Sequence, residues 1–168
     1  MIFVWSSVVV FVSVASFAQD APEDYQHKPA DYDVLGKFLD KYGYKKHQVV
    51  EAEDQKVLVF MVQDPTGQSV FQFSILHLPK GNMLKIQCSR IADAPSNPQK
   101  FRLLLEKLTE LNGERTVGKY CLDSKKKNVR YFYYMSVAGG ICYADFRKTL
   151  GTMQYIIFND MKAFKNLT

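Results

Sequence analysis

Cysteine is scarce in this 168-residue chain, and its number is odd. Cys88, Cys121 and Cys142 cannot all pair within one chain. No Cys-x-x-Cys pair or Cys/His spacing of the zinc-finger kind occurs, which argues against a structural zinc site. The Gly-x-Ser-x-Gly elbow, the His-Glu-x-x-His helix, the P-loop and the Gly-x-Gly-x-x-Gly turn are also missing, and with them the enzyme classes they serve. Beyond Ala18 no apolar run is long enough to cross a bilayer. A concentrated basic patch is lacking too. The formal charge of +5 comes from 22 basic against 17 acidic residues, scattered apart from Lys125, Lys126 and Lys127. A nucleic-acid binder gathers its basic residues on one face, so no nucleic-acid partner is expected. The surplus supports at most a mild preference for anionic surfaces.

What is present begins with "MIFVWSSVVVFVSVASFAQD". The run is apolar or small up to Ala18 and places Ser16 and Ala18 at −3 and −1 of a cleavage point, which is the pattern of a signal peptide. It has no Lys or Arg ahead of the apolar core. The competing reading is an uncleaved anchor, but the run is at the short limit for a span and no basic stop-transfer cluster follows. The expectation is a signal peptide over residues 1–18 and export to the periplasm or exterior, with no stable membrane span after cleavage. Residues 19–30 are polar, carry two prolines and show no periodicity, so they read as a flexible leader without core contacts. Residues 31–168 then form one domain, large enough to bury a core without a disulfide or metal staple.

Within that domain Asp31 caps a predicted helix that reaches Tyr42 and stops at Gly43. Four β segments follow. "HQVVEA" is short and polar-edged, and "KVLVFMV" is continuously apolar, as suits a strand covered on both faces. "QSVFQFSILHL" and "MLKIQCSR" alternate, with turns at "DPTG" and "PKGN". Ser96 or Asn97 caps a second helix with Pro98 in its first turn and a stripe of Phe101, Leu104, Leu105, Leu108 and Leu111, ended by Gly113. Two strands flank "SKKKN". The last helix runs from about Ala144 to Phe164, with Phe146, Leu150, Met153, Ile157, Met161 and Phe164 at helical spacing. The fold class is α+β: a single antiparallel sheet of five to six strands with three helices packed on it, in the order α-β-β-β-β-α-β-β-α.

The stretch "LLEKLTELNGERTVGKYCLDSKKKNVRYFYYMSV", followed by a long amphipathic helix, resembles the YbjN family of bacterial sensory-regulator-like domains. "YGY" after the first helix and "DPTGQSVFQFSI" fit the same pattern, and the resemblance runs from about Asp31 to Phe164. It implies a type III secretion chaperone-like fold and a protein-interaction or chaperone-like role, often as a homodimer. It carries over no catalytic position. This chain departs from the resemblance in two ways. It reads as exported where many members look cytoplasmic. It also has four strands before the second helix where the chaperone fold has three, so "HQVVEA" could be an irregular lead-in.

The candidate interaction surface is the aromatic strand, at Tyr131, Tyr133 and Tyr134. Tyr131, Tyr133 and Met135 alternate with Phe132, Tyr134 and Ser136. One set must enter the core, and the other forms a dimer seam or ligand groove, or lies beneath the first helix. His27, His47 and His77 hold a metal only if the fold gathers them. Cys142, beside Gly139 and Gly140 at a helix start, reads either as a thiol activated there or as a small buried residue. Cys88 and Cys121 bond only if the second helix returns the chain beside the same strand; otherwise all three cysteines are reduced core residues. No cofactor and no enzymatic activity are expected. The functional expectation is an exported binding or chaperone-like module with a protein or peptide partner, and the alternative is a carrier of a small ligand or lipid.

Overall fold

The computed structural model describes residues 20–52 and 55–167; the signal-peptide reading of residues 1–18 lies outside them. The elements are α1 (Tyr32–Lys41), β1 (His47–Ala52), β2 (Gln55–Gln63), β3 (Val70–Leu78), β4 (Met83–Asp93), α2 (Pro98–Glu114), β5 (Lys119–Asp123), β6 (Asn128–Ser136) and α3 (Tyr143–Phe164), with short 3-10 turns at Pro22–Tyr25 and Pro79–Gly81. The strands form one six-stranded sheet in the order β1-β2-β3-β4-β6-β5. Every neighbouring pair is antiparallel. The expected α+β architecture and element order are those of the molecule. "HQVVEA" is a full edge strand, paired residue for residue with β2 from His47↔Phe60 to Ala52↔Gln55.

Local chemistry sets the boundaries. Asp31 accepts the Val34 N–H at 2.8 Å and opens α1, and Gly43 follows the helix at φ +95°, where a β-carbon is disfavoured. Asn97 accepts the N–H groups of Gln99 and Lys100 at 2.9 and 3.1 Å and opens α2 at Pro98. Gly113 does not end that helix; it is its penultimate residue. The stop comes from the next strand. The Lys119 ammonium donates to the carbonyls of Asn112 and Arg115 at 2.6 and 2.8 Å, satisfying the last turn from outside. The Asn112 side chain meanwhile bonds the backbone of Tyr120 on both sides, at 2.9 and 2.7 Å.

One face of the sheet carries the core. Leu58 and Phe60 of β2, Phe73 and Ile75 of β3, Leu84, Ile86 and Cys88 of β4, and Val129 and Tyr131 of β6 are buried there. They join Leu35 and Leu39 of α1, Leu104, Leu108 and Leu111 of α2, and Phe146, Leu150, Met153 and Ile157 of α3 in a single cluster. Each such side chain contributes roughly 1.5–3 kcal/mol by leaving water. α1 lies on this same side. Phe38 meets Phe146 at 5.8 Å, and Gly36 brings the helix against the His47 ring. The expectation that β2 is covered on both faces is corrected: Val57 and Val59 are half-buried and Met61 is exposed. Leu105 also leaves the α2 stripe and is 42% exposed, because the helix buries only the narrow line of Leu104, Leu108 and Leu111.

Residues 20–30 correct a second expectation. They form a strap docked on the body. Lys28 makes a two-way backbone bridge to Ile141, with N–H···O distances of 2.9 and 2.8 Å. Asp24 is buried and paired with Lys41 of α1. Asp20 is paired with Arg147 of α3. Apart from Ala30, which packs against the core, these contacts are polar or backbone-mediated, which is why hydrophobic periodicity gave no sign of them.

Candidate functional site

Among the described residues no layer lies over the second face of the sheet. Period-two alternation puts Val57, Val59, Gln72, Ser74, Leu76, Lys85, Gln87 and Arg130 there, opposite the core set. With the hairpin ends they line a concavity of about 760 Å³. Val50, Ala52, Val57, Val59 and Leu76 make its apolar part, interspersed with Gln55, Gln72 and Ser74, and polar and basic side chains of β4 and β6 border it. Lys85, Arg90, Lys126 and Arg130 line it, with Asp93 the acidic residue among them. Arg90 sits at φ +55° where the β4–β6 register slips between Cys88 and Ala92. Such bulges re-aim a side chain at the cost of local strain. Arg90 is held to Asp93 at 3.2 Å, and Arg130 is paired with Asp123 across β5 and β6.

The aromatic strand divides between the two faces. Tyr131 is fully buried. Its ring lies 4.6 Å from that of Tyr120, and its hydroxyl donates to the Val117 carbonyl. Burial pushes its phenol up to about 12. Tyr131 therefore offers no surface to a partner. Tyr133 shares the core-facing side, opposite Ile86, and is half-buried. Tyr134 is the member of the three on the open face, 41% exposed and edge-on to Phe132 at 5.6 Å. Lys85 lies over the Phe132 ring at 5.6 Å. Of the three tyrosines that the sequence offers as a candidate interaction surface, Tyr134 is the one exposed on the open face, with Phe132 beside it. The basic residues of β4 and β6, which sequence reading left unassigned, share that face.

The cysteines are all free. Cys88 faces the core, opposite Tyr131, and Cys121 lies on the open face, opposite Arg130. β6 stands between their strands, so the helix crossover does not make them neighbours. Burial raises the thiol pKa of both.

Cys142 caps α3. Its sulfur accepts the Asp145 N–H at 3.5 Å, and its thiol faces the Asp145 carboxylate at 3.1 Å. Burial pushes the Cys142 pKa up, and the carboxylate pushes the same way against the backbone N–H groups. A thiol that keeps its proton and donates a hydrogen bond to a carboxylate is a poor nucleophile. The three histidines do not meet. His47 bonds Asp40 at 3.1 Å, and the backbone of His77 bonds the Tyr32 hydroxyl. His27 instead stands with Cys142 and Asp145, the candidate ligand atoms of all three lying within 4.8 Å of one another.

Among the described residues the sheet is backed by helices on one side and open on the other. The chain belongs to the YbjN family, described as "Putative bacterial sensory transduction regulator", which matches residues 31–154. Among solved structures it is similar to that of YbjN, "a putative transcription regulator from E. coli", with 20% identity and a TM-score of 0.56, over 80% of this chain and 94% of that one. At that identity the likeness shows the fold. No curated protein matches.

Proposed function

We propose that the protein is an exported, non-enzymatic binding module that holds an extended, acidic segment of a protein partner on its open sheet face. The observation that carries this reading is the face open among the described residues: Val50, Val57, Val59 and Leu76 beside Gln72 and Ser74, bordered by Lys85, Arg90, Lys126 and Arg130. An extended peptide can lay alternate side chains on such a face while its carboxylates meet the basic border. The Cys142 environment supports the non-enzymatic part, and the signal-peptide pattern supports export. A lipid or small-ligand carrier fits less well, since Gln72, Ser74, Gln87, Ser89 and the basic side chains replace the apolar wall that an acyl chain needs.

The test places a photo-reactive side chain at Gln72 on the open face, or at Lys162 on α3, in the producing cells. An adduct of one defined mass from Gln72, absent from Lys162 and lost when Lys85 and Arg130 are both changed to Glu, is expected. Equal adducts from both positions, or none from Gln72, overturn the reading. So does an adduct of twice the chain's own mass, which makes the face a homodimer seam. N-terminal sequencing of the secreted or periplasmic protein should begin at Gln19; a retained Met1 overturns cleavage.

A further inference from the structure

The strap and the start of α3 together build something that neither contains alone. Lys28 and Ile141 exchange both backbone hydrogen bonds, at 2.9 and 2.8 Å. In an antiparallel bridge the next pair outward is therefore His27 opposite Cys142. That pair is non-hydrogen-bonded, the kind in which side chains on one face stand closest. Asp145, one turn into α3, adds a carboxylate 3.1 Å from the sulfur. The imidazole nitrogen, the sulfur and the carboxylate oxygen converge within 4.8 Å.

We propose that His27, Cys142 and Asp145 form a site for a borderline divalent transition metal of the Zn²⁺ class. The donor set is nitrogen, sulfur and oxygen, the mixture that Zn²⁺ takes. Bonds of about 2.0–2.3 Å place tetrahedral ligand atoms roughly 3.3–3.8 Å apart. The sulfur and carboxylate stand at 3.1 Å and need to part by only a few tenths of an ångström to reach that spacing. The remaining closure falls to His27, whose side chain is exposed and whose neighbour Lys28 the bridge holds. The helix terminus assists the ligands: the Asp145 N–H donates to the sulfur, and the α3 N-terminus favours the thiolate and carboxylate that the cation would meet. The thiol proton leaves to solvent as the metal binds. Three protein ligands leave a fourth position for water.

The arrangement also accounts for Gly140. It holds φ +87°, and a β-carbon there would lie 2.7 Å from the Lys28 carbonyl oxygen. The glycine lets the strap close on the ligand-bearing loop.

The experiment titrates the purified, tag-free chain, stripped with a chelator, with Zn²⁺ alone by calorimetry and with Co²⁺ by absorption. Uptake of one equivalent is expected, with a thiolate-to-cobalt charge-transfer band. His27→Ala and Cys142→Ser should each weaken binding at least tenfold, and Cys142→Ser should abolish the band. His77→Ala should change neither. His27 is exposed, so its substitution keeps the test valid should the buried Cys142 variant fail to fold. Absence of stoichiometric uptake overturns the proposal, as does uptake that His27→Ala leaves unchanged or that lacks the thiolate band.

Discussion

Two residues, Gly118 and Asp160, hold the far edge of the molecule, and each makes a sharp prediction. Gly118 sits at φ +70°, and a β-carbon there would stand 2.6 Å from the ring of fully buried Tyr131. Gly118→Ala combines a left-handed backbone with overpacking against a ring that has no room to retreat. It should cost about 2–4 kcal/mol in urea unfolding. Tyr131→Phe keeps the packing and loses only the bond to the Val117 carbonyl, at a cost of about 1 kcal/mol. Asp160 is the second. It is buried on α3, accepts from Arg115 Nε at 3.1 Å and from the Tyr120 hydroxyl at 2.9 Å, and so fastens α2, β5 and α3 together. Asp160→Ala should destabilise by about 2–3 kcal/mol, less than for a sealed pair because Arg115 can turn to water. Neither residue was readable in advance. Asp160 lies among the apolar positions of α3 and looks like a solvated interruption until Arg115 and Tyr120 are seen converging on it.

At the scale of elements, what depends on near neighbours was legible and what depends on meeting across the chain was not. The Asp31 and Asn97 caps, the alternation in β3 and β4 and the "DPTG" turn, where the Gly67 N–H reaches the Asp64 carbonyl at 2.9 Å, are local chemistry and stand as read. The end of α2 rests on Lys119, five residues past the helix, and so escaped a reading that looked to Gly113. The strap rests on one backbone bridge and three acidic side chains, Asp20, Glu23 and Asp24, facing Arg147 and Lys41. It has no hydrophobic period to betray it. The convergence of His27 with Cys142 was unreadable for the same reason, since it exists only through the bridge. Gly140→Ala should therefore release the strap while leaving the sheet intact. Amide exchange at Lys28 and Ile141 should accelerate at least tenfold, with β3 and β4 unchanged. Unaltered exchange at those two amides would show that the loop can absorb the added carbon.

The whole molecule carries an alkaline limit. Burial raises Tyr42, Tyr44, Tyr120, Tyr131 and Tyr143 above the ordinary phenol, Tyr44 and Tyr131 from 10.0 to about 12. The folded state thus keeps protons that the unfolded chain gives up first. Stability from these groups is fully present below about pH 10 and is lost as pH rises from there through about 12. The urea midpoint should hold steady to about pH 9.5 and then fall, with phenolate absorbance appearing together with unfolding. Phenolate that appears in the folded protein at pH 10 to the full count of ten tyrosines would contradict this.

The strand order has a consequence for how the chain assembles. β1 to β4 are consecutive and pair as neighbours, so they can zip in sequence, whereas β5 reaches its place only through β6. A chain that has produced everything up to Glu114 has an eleven-residue β4 with one side unclaimed. That side is a template for any strand that arrives first. The β5–β6 hairpin, with Asp123 collecting the N–H groups of Lys125 and Lys126 at its tip, closes locally and docks against β4 as a finished piece. Docking of the hairpin covers that side, so substitutions that delay it should be felt as aggregation in newly made protein before they are felt as lost stability in the mature fold.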